Sequence, residues 1–274
     1  VDDTLLQAAR EVLEKVPSRG RGGGSASSLD AKALASRAEA DIRYYRERDE
    51  RVCSRVEIRD DVVGVMVSHG NLLINKRQKF QESRVEALLA HEIGTHVVTF
   101  FNGRAQPFQQ LSSGLPDYEE LQEGLAVLAE YLVGGLTRSR LRMLAGRVLA
   151  AYMLSEGATF PEVFRALNHT HDFPQKTAFT TTLRVFRGGG LLKDMVYLRG
   201  LIHLMAYLGD GGELEPLLVG KFGAGHLPII QELQWRKVLS APRLTPRYLD
   251  NPQAAERLDR LRGGTTVLQL VKRA

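Results

Sequence analysis

The chain has 274 residues, 43% of them hydrophobic and 25% charged, enough for a full core and an ordinary globular composition. Its net charge of +5 and pI of about 9.4 come from arginines scattered along the chain. Without a basic recognition helix or an aromatic stacking motif, nucleic acid is not an expected partner. A single cysteine, Cys53, excludes a disulfide framework and a cysteine-based metal site and fits a cytoplasmic setting, and no apolar run reaches the roughly 18 residues of a membrane span.

In chain order, a helix is predicted over residues 2–15, with Leu5, Leu6, Val12 and Leu13 as its apolar contribution. Residues 18–28 have flexible-linker composition and lack the preceding strand and Gly-Lys-Ser/Thr ending of a phosphate-cradling loop. Helix and linker (1–28) therefore precede a main domain at 29–274, divided at about residue 135 into a first part and a helical C-terminal half. A second helix is expected over about 29–48. Strands follow at 55–59, 62–67 and 71–75, with a turn at His69-Gly70 between the last two. The resulting hairpin leads into the next helix, where it can pair with an extended peptide by strand addition or simply cover the helix.

That next helix carries His91-Glu92-Ile93-Gly94-Thr95-His96. Ser83 and Glu86 have capping-box spacing, Val85, Leu88 and Leu89 begin an apolar stripe, and Asn102-Gly103 supplies a stop. The zinc-peptidase pattern H-E-x-x-H places two imidazoles on one face with the Glu as general base. Here the spacing is one residue longer, which leaves the rings about 140° apart on an α-helix. A π-type turn of about 4.4 residues brings them back to within roughly 50°. A π-bulge or local unwinding is therefore predicted between His91 and His96, eased by Gly94. The competing reading is a pair of core histidines satisfied by hydrogen bonds.

A loop at 103–116 joins this helix to one opened by Asp117 and Glu120 and striped by Leu121, Leu125, Leu128 and Leu132. Glu123 lies inside it and completes a His2Glu ligand set with His91 and His96, the usual catalytic zinc arrangement. Gly124 costs about 1 kcal/mol relative to alanine in a helix interior, so a close backbone neighbour is expected, and the histidine helix is the candidate. Glu119 and Glu120 read as solvated. Beyond Gly135 a long helix carries Leu141, Leu144, Val148 and Leu149. His169 and His171 read as a polar loop, Arg187-Gly188-Gly189-Gly190 as a break, and 193–203 as a helix with Lys193 and Tyr197 on one face. Short helices separated by proline turns follow, ending in an apolar stretch at 267–271.

His91 to His96, Asn102-Gly103, Gln106-Pro107, Gln122-Glu123-Gly124-Leu125-Ala126, Arg187-Gly188-Gly189 and the segment from Lys193 to Leu201 together resemble the bacterial QEGLA-motif proteins. Their eukaryotic relatives are the microtubule-associated tyrosine carboxypeptidases, and the resemblance runs from about residue 29 to 263. It implies a zinc metallopeptidase with Zn2+ on His91, His96 and Glu123, and with Glu92 as general base. Dipeptidyl peptidase III is similar in using the expanded motif. The substrate implied is a peptide or protein C-terminus. The tubulin substrate of the eukaryotic branch is not carried over, because the chain is nearer the bacterial branch in its QEGLA form.

From that reading, Tyr197 is the first candidate to donate to a developing oxyanion and His203 the second. Arg187, Lys193 and Arg199 are unranked candidates to hold a substrate carboxylate. The expected fold is α+β and mostly helical: a zincin-like core with a small β-sheet beside the metal helix. An endo- or aminopeptidase of the same fold would ignore a C-terminal amide. A catalytically quiet binding protein is disfavoured by the intact Glu92.

Overall fold

A computed structural model describes residues 1–18, 27–187 and 190–271. The linker reading at 19–26 and the Gly188-Gly189 break lie outside the described residues. The first half runs α1 (Asp3–Lys15), β1 (Ser28–Leu29), α2 (Ala31–Arg48), β2 (Val56–Arg59), β3 (Val65–Ser68), β4 (Asn71–Asn75) and β5 (Phe80–Gln81). Then come α3 (Val85–His91), a π-helical segment (Glu92–Val97), α4 (Val98–Arg104), α5 (Gln110–Ser113) and α6 (Tyr118–Leu132). The remainder is helical: α7 (Arg138–Ser155), α8 (Phe160–Arg165), α9 (Gln175–Phe186), α10 (Gly190–Gly209), α11 (Leu227–Trp235) and α12 (Pro252–Arg262). The α+β, mostly helical class is as expected.

Helix α1 starts where Asp2 Oδ1 accepts the Leu5 N–H at 2.8 Å, and it buries Leu5, Leu6, Ala9, Val12 and Leu13. That face packs on α7 and joins the larger core, built mainly from α6, α7 and α10. In α2, Asp30 caps Ala33 N–H at 2.8 Å. Leu29, expected inside that helix, lies in the short strand β1 instead. The pair β1–β5 was not foreseen, because two-residue strands carry no periodicity.

In the three-stranded sheet β4 is central, parallel to β2 and antiparallel to β3. Ser68 pairs with Asn71 across His69-Gly70, whose φ angles of 49° and 79° suit the tight hairpin turn predicted there. Both β3 and β4 pack on the π segment. Leu72 and Ile74 of β4, Leu34 and Ile42 of α2, and Val85, Leu89, Ile93 and Val98 form a second, smaller core. Leu121, Leu125, Leu128 and Leu132 of α6 belong to the larger one, each buried leucine contributing about 1.5–3 kcal/mol. Helix α3 packs against α6, so the histidine helix runs where the two cores meet.

Several local expectations are corrected. No capping box forms at Ser83: a 3-10 turn over Glu82–Arg84 leads into α3, whose N-cap is Arg84. Asp117 stands at the α6 N-cap in a left-handed conformation (φ 60°), without a side-chain cap. Helix α4 ends at Arg104, one residue past the Asn102-Gly103 stop. Asn102 is buried, donating from Nδ2 to Leu218 O (2.9 Å) and Leu244 O (2.8 Å) and accepting from Leu244 N (2.9 Å). Gln106 exchanges two hydrogen bonds with the Ser240 backbone, at 3.0 and 3.1 Å. These amides bind the proline-rich C-terminal stretch to the histidine helix. The 103–116 loop contains α5, with Leu111 buried and its carbonyl accepting from Lys221 N at 2.7 Å.

The close neighbour of Gly124 is α10, not the histidine helix. A Cβ built on Gly124 would stand 2.5 Å from the Gly200 carbonyl carbon, and Gly200 faces the Glu120 carbonyl in turn. The two glycines let α6 and α10 cross nearly in backbone contact.

Candidate active site

An unbroken α-helix would point His91 and His96 apart. From Glu92 to Val97 the chain takes the wider π turn, with the Val98 N–H reaching back five residues to Ile93 O. The Thr95 hydroxyl makes the same five-residue step to Ala90 O at 3.3 Å. The two imidazoles are thereby brought to 5.3 Å between ring centroids, as the five-residue spacing predicted. Gly94 serves this segment in a second way. A Cβ there would stand 2.9 Å from Tyr248, whose ring lies on the π turn.

Helix α6 delivers Glu123 to the pair. Its Oε2 lies 3.5 Å from His91 Nε2 and 3.7 Å from His96 Nε2. That oxygen is buried and has no hydrogen-bond partner among the described residues, a costly condition for a carboxylate unless a cation occupies the gap. Ligand atoms about 2.0–2.1 Å from one tetrahedral ion are roughly 3.3 Å apart. His91, His96 and Glu123 are thus a group that can hold a metal ion, and no other such group of three occurs among the described residues. His169, read as part of a polar loop, lies instead in a second π-helical segment (Ala166–Thr170), with His171 at its C-cap.

The tautomer of His91 follows from its other nitrogen. Nδ1 lies 3.0 Å from Glu130 Oε1. An ionised carboxylate only accepts, so Nδ1 carries the proton and donates it, leaving the Nε2 lone pair for a metal. Glu130 is 1% exposed and is gripped by Arg84 Nη2 at 2.5 Å and Arg140 Nη2 at 2.8 Å. Burial opposes its ionisation, but Arg140 and His91 outweigh that and hold its carboxyl well below the usual range. Glu130 was missed by the sequence reading. The available signal was a lone charge in the apolar run 125–132, two turns beyond Glu123.

Glu92 is buried beside the pair, 8% exposed. Burial raises its pKa, the two imidazoles pull it down, and the nearby Glu123 and Glu130 charges push it up again, with a net rise. The result favours proton exchange over permanent ionisation.

The other candidates divide. Lys193 and Tyr197, one turn apart on α10, share a face as predicted, and both sense the charge of Glu123. Tyr197 is mostly buried. Burial and then Glu123 raise its hydroxyl to about 12, with Arg147, Arg184 and Arg140 pulling the other way. Lys193 Nζ is paired with Glu119 at 2.8 Å. Arg199 Nε donates to Glu120 at 2.5 Å, and His203 Nδ1 lies 2.7 Å from the same carboxylate. Glu119 and Glu120 are therefore not merely solvated. With its side chain 62% exposed, His203 is not brought to the histidine pair. Arg187 is exposed at the end of α9, with no side-chain partner among the described residues.

The family model for microtubule-associated tyrosine carboxypeptidase matches residues 1–265. The chain belongs to the microtubule-associated tyrosine carboxypeptidase family. The match begins at residue 1, ahead of the resemblance read from about residue 29, in keeping with the packing of α1 on α7. Neither the curated proteins nor the solved structures contain a match. Membership in the tyrosine carboxypeptidase family makes the chain peptidase-like, with a peptide or protein as the substrate class. No helix among the described residues is long and apolar enough to cross a membrane.

Proposed function

We propose that this protein is a zinc-dependent carboxypeptidase with a zincin-like core that hydrolyses the last residue, tyrosine foremost, from a peptide or protein. The observation that carries this reading is the buried, donor-less Glu123 oxygen facing His91 Nε2 and His96 Nε2, with Glu92 beside them. Two imidazoles and one carboxylate suit zinc, which His91, His96 and Glu123 would hold as its ligands. When bound, zinc supplies Lewis acidity and a water acidic enough to ionise near neutral pH.

The chain's own residues do the rest. Glu92 takes the proton of the attacking water as oxygen bonds to the scissile carbonyl carbon, then returns it to the departing amine as the C–N bond breaks. Tyr197, protonated at neutral pH, donates its O–H toward the carbonyl oxygen as negative charge develops there. Glu130 keeps the His91 ring oriented.

The test is mass spectrometry of peptides with free and with amidated C-termini, incubated with zinc-loaded protein and with Glu92→Gln. Loss of one residue from free acids alone, abolished in the variant, is expected. Cleavage of the amides as well would discard the carboxypeptidase assignment and leave an endo- or aminopeptidase. No cleavage of any peptide by metal-loaded protein would count against catalysis itself.

A further inference from the structure

Around Tyr197 the structure gathers more cationic groups than it neutralises. Arg140 and Arg147 of α7 lie 6.0 and 5.3 Å from the Tyr197 ring centre, and Arg184 of α9 also acts on its hydroxyl. Three guanidiniums meet two carboxylates. Arg140 is taken by Glu130, and Arg184 Nε donates to the fully buried Asp194. Arg147 has only a second share of Asp194. Its nearest carboxylate oxygen is that same Asp194 Oδ1, at 3.6 Å, and among the described residues it makes no hydrogen bond. Its side chain is only 14% exposed, so its N–H donors meet little water. A guanidinium so placed has strong demand for an anion, and its planar fork matches a carboxylate.

The position of this fork relative to the metal group matters. Glu130, which holds His91 Nδ1 at 3.0 Å, is bound at 2.8 Å by Arg140, and Arg140 and Arg147 both stand by the Tyr197 ring. An enzyme that removes one residue must hold the free carboxylate a single extended residue, about 3.3–3.6 Å of chain, beyond the scissile bond. Lys193 and Arg199, considered for this task from the sequence, are paired with Glu119 and Glu120.

We propose that Arg147, backed by Arg184 and Asp194, is the receptor for the substrate's terminal carboxylate. This rests on the carboxypeptidase reading and names its specificity element. Asp194 is a positioning residue: it holds Arg184 and sits against Arg147 without cancelling both charges. Arg147 thereby selects free C-termini over amides and over internal peptide bonds.

The experiment measures binding of a tyrosine-ended peptide, as free acid and as amide, to zinc-loaded Glu92→Gln protein, and then to the same protein carrying Arg147→Met, Arg147→Lys or Lys221→Met. Lys221 is a control, a partly buried cation near Glu123 that rests 5.4 Å from the Phe100 ring. Zinc content and thermal unfolding are recorded for each variant. The free acid is expected to bind the parent about 10- to 100-fold more tightly than the amide, the span of one charged hydrogen-bonded pair. Arg147→Met erases that ratio with zinc retained, Arg147→Lys keeps part of it, and Lys221→Met leaves it intact. A ratio that survives Arg147→Met, or that vanishes with Lys221→Met instead, overturns the assignment while leaving a carboxypeptidase. Equal binding of acid and amide to the parent also overturns it. Cleavage of amides by the unsubstituted enzyme then shows whether the carboxypeptidase reading falls with it.

Discussion

His91 Nδ1 and Glu130 Oε1 lie 3.0 Å apart with both side chains buried. Such a pair fixes a ligand's tautomer, and its loss costs metal affinity about 10- to 100-fold. Glu130→Gln is expected to lose metal to that extent in a graded chelator competition. It also strands Arg84 and Arg140 without their shared counter-charge, so the metal-free variant unfolds about 3–5 kcal/mol more easily. A variant with unchanged affinity would remove Glu130 from the site.

The crossing of α6 and α10 admits no side chain at Gly124 or Gly200. Gly124→Ala should cost about 1–3 kcal/mol in urea unfolding despite alanine's better helix propensity. Because Glu123 is the adjacent residue, metal affinity should fall as well. A stabilised Gly124→Ala protein would show that the helices can separate at no cost.

Proton and metal compete for the same nitrogens. Burial alone would lower the His91 pKa, but Glu123 and Glu130 outweigh it and raise it to about 10 from a reference of 6.5. A raised folded-state value means that His91 stabilises the metal-free protein fully below the unfolded pKa, and that this contribution is lost as pH climbs toward 10. Metal-free protein is therefore expected to melt higher at about pH 6 than at about pH 9. Metal affinity runs the opposite way, rising about tenfold per pH unit for each proton displaced. Calorimetric titration in buffers of different ionisation enthalpy counts the protons released. Zero release at neutral pH would contradict this account.

Asn102 satisfies two carbonyls and one N–H from chain more than 110 residues away. Asn102→Ala leaves all three buried without partners, a loss of about 3 kcal/mol or more. Asn102→Asp should not rescue it, because a carboxylate cannot donate to Leu218 O and Leu244 O. Thermal unfolding of the two variants checks this, and near-native stability in either would be unexpected.

What was legible in the sequence was what local spacing dictates. The interval from His91 to His96 admits a shared face only through a π turn, and that turn is present. Glu123 was readable once Gly124 marked its helix as tightly packed. That Gly124 meets Gly200 was not, because a helix surface does not name its neighbour. Lys193, Arg199 and His203 looked available because Glu119 and Glu120, their partners, lie on a helix more than 70 residues earlier. Asn102-Gly103 marked the end of its helix to within a residue, but no local signal said that the Asn102 amide is spent on Leu218 and Leu244. Arg147 carried no local signal at all. Its meaning depends on Asp194 being shared with Arg184.

The amides of Asn102 and Gln106 reach across 142 and 134 residues to Leu244 and Ser240. During synthesis His91, His96 and Glu123 leave the ribosome far ahead of those partners, so the emerging histidine helix has buried polar groups with nothing to pair them. Contacts of such long range form late and slowly. The geometry of the histidine helix is therefore expected to settle only after the chain has been made as far as Leu244.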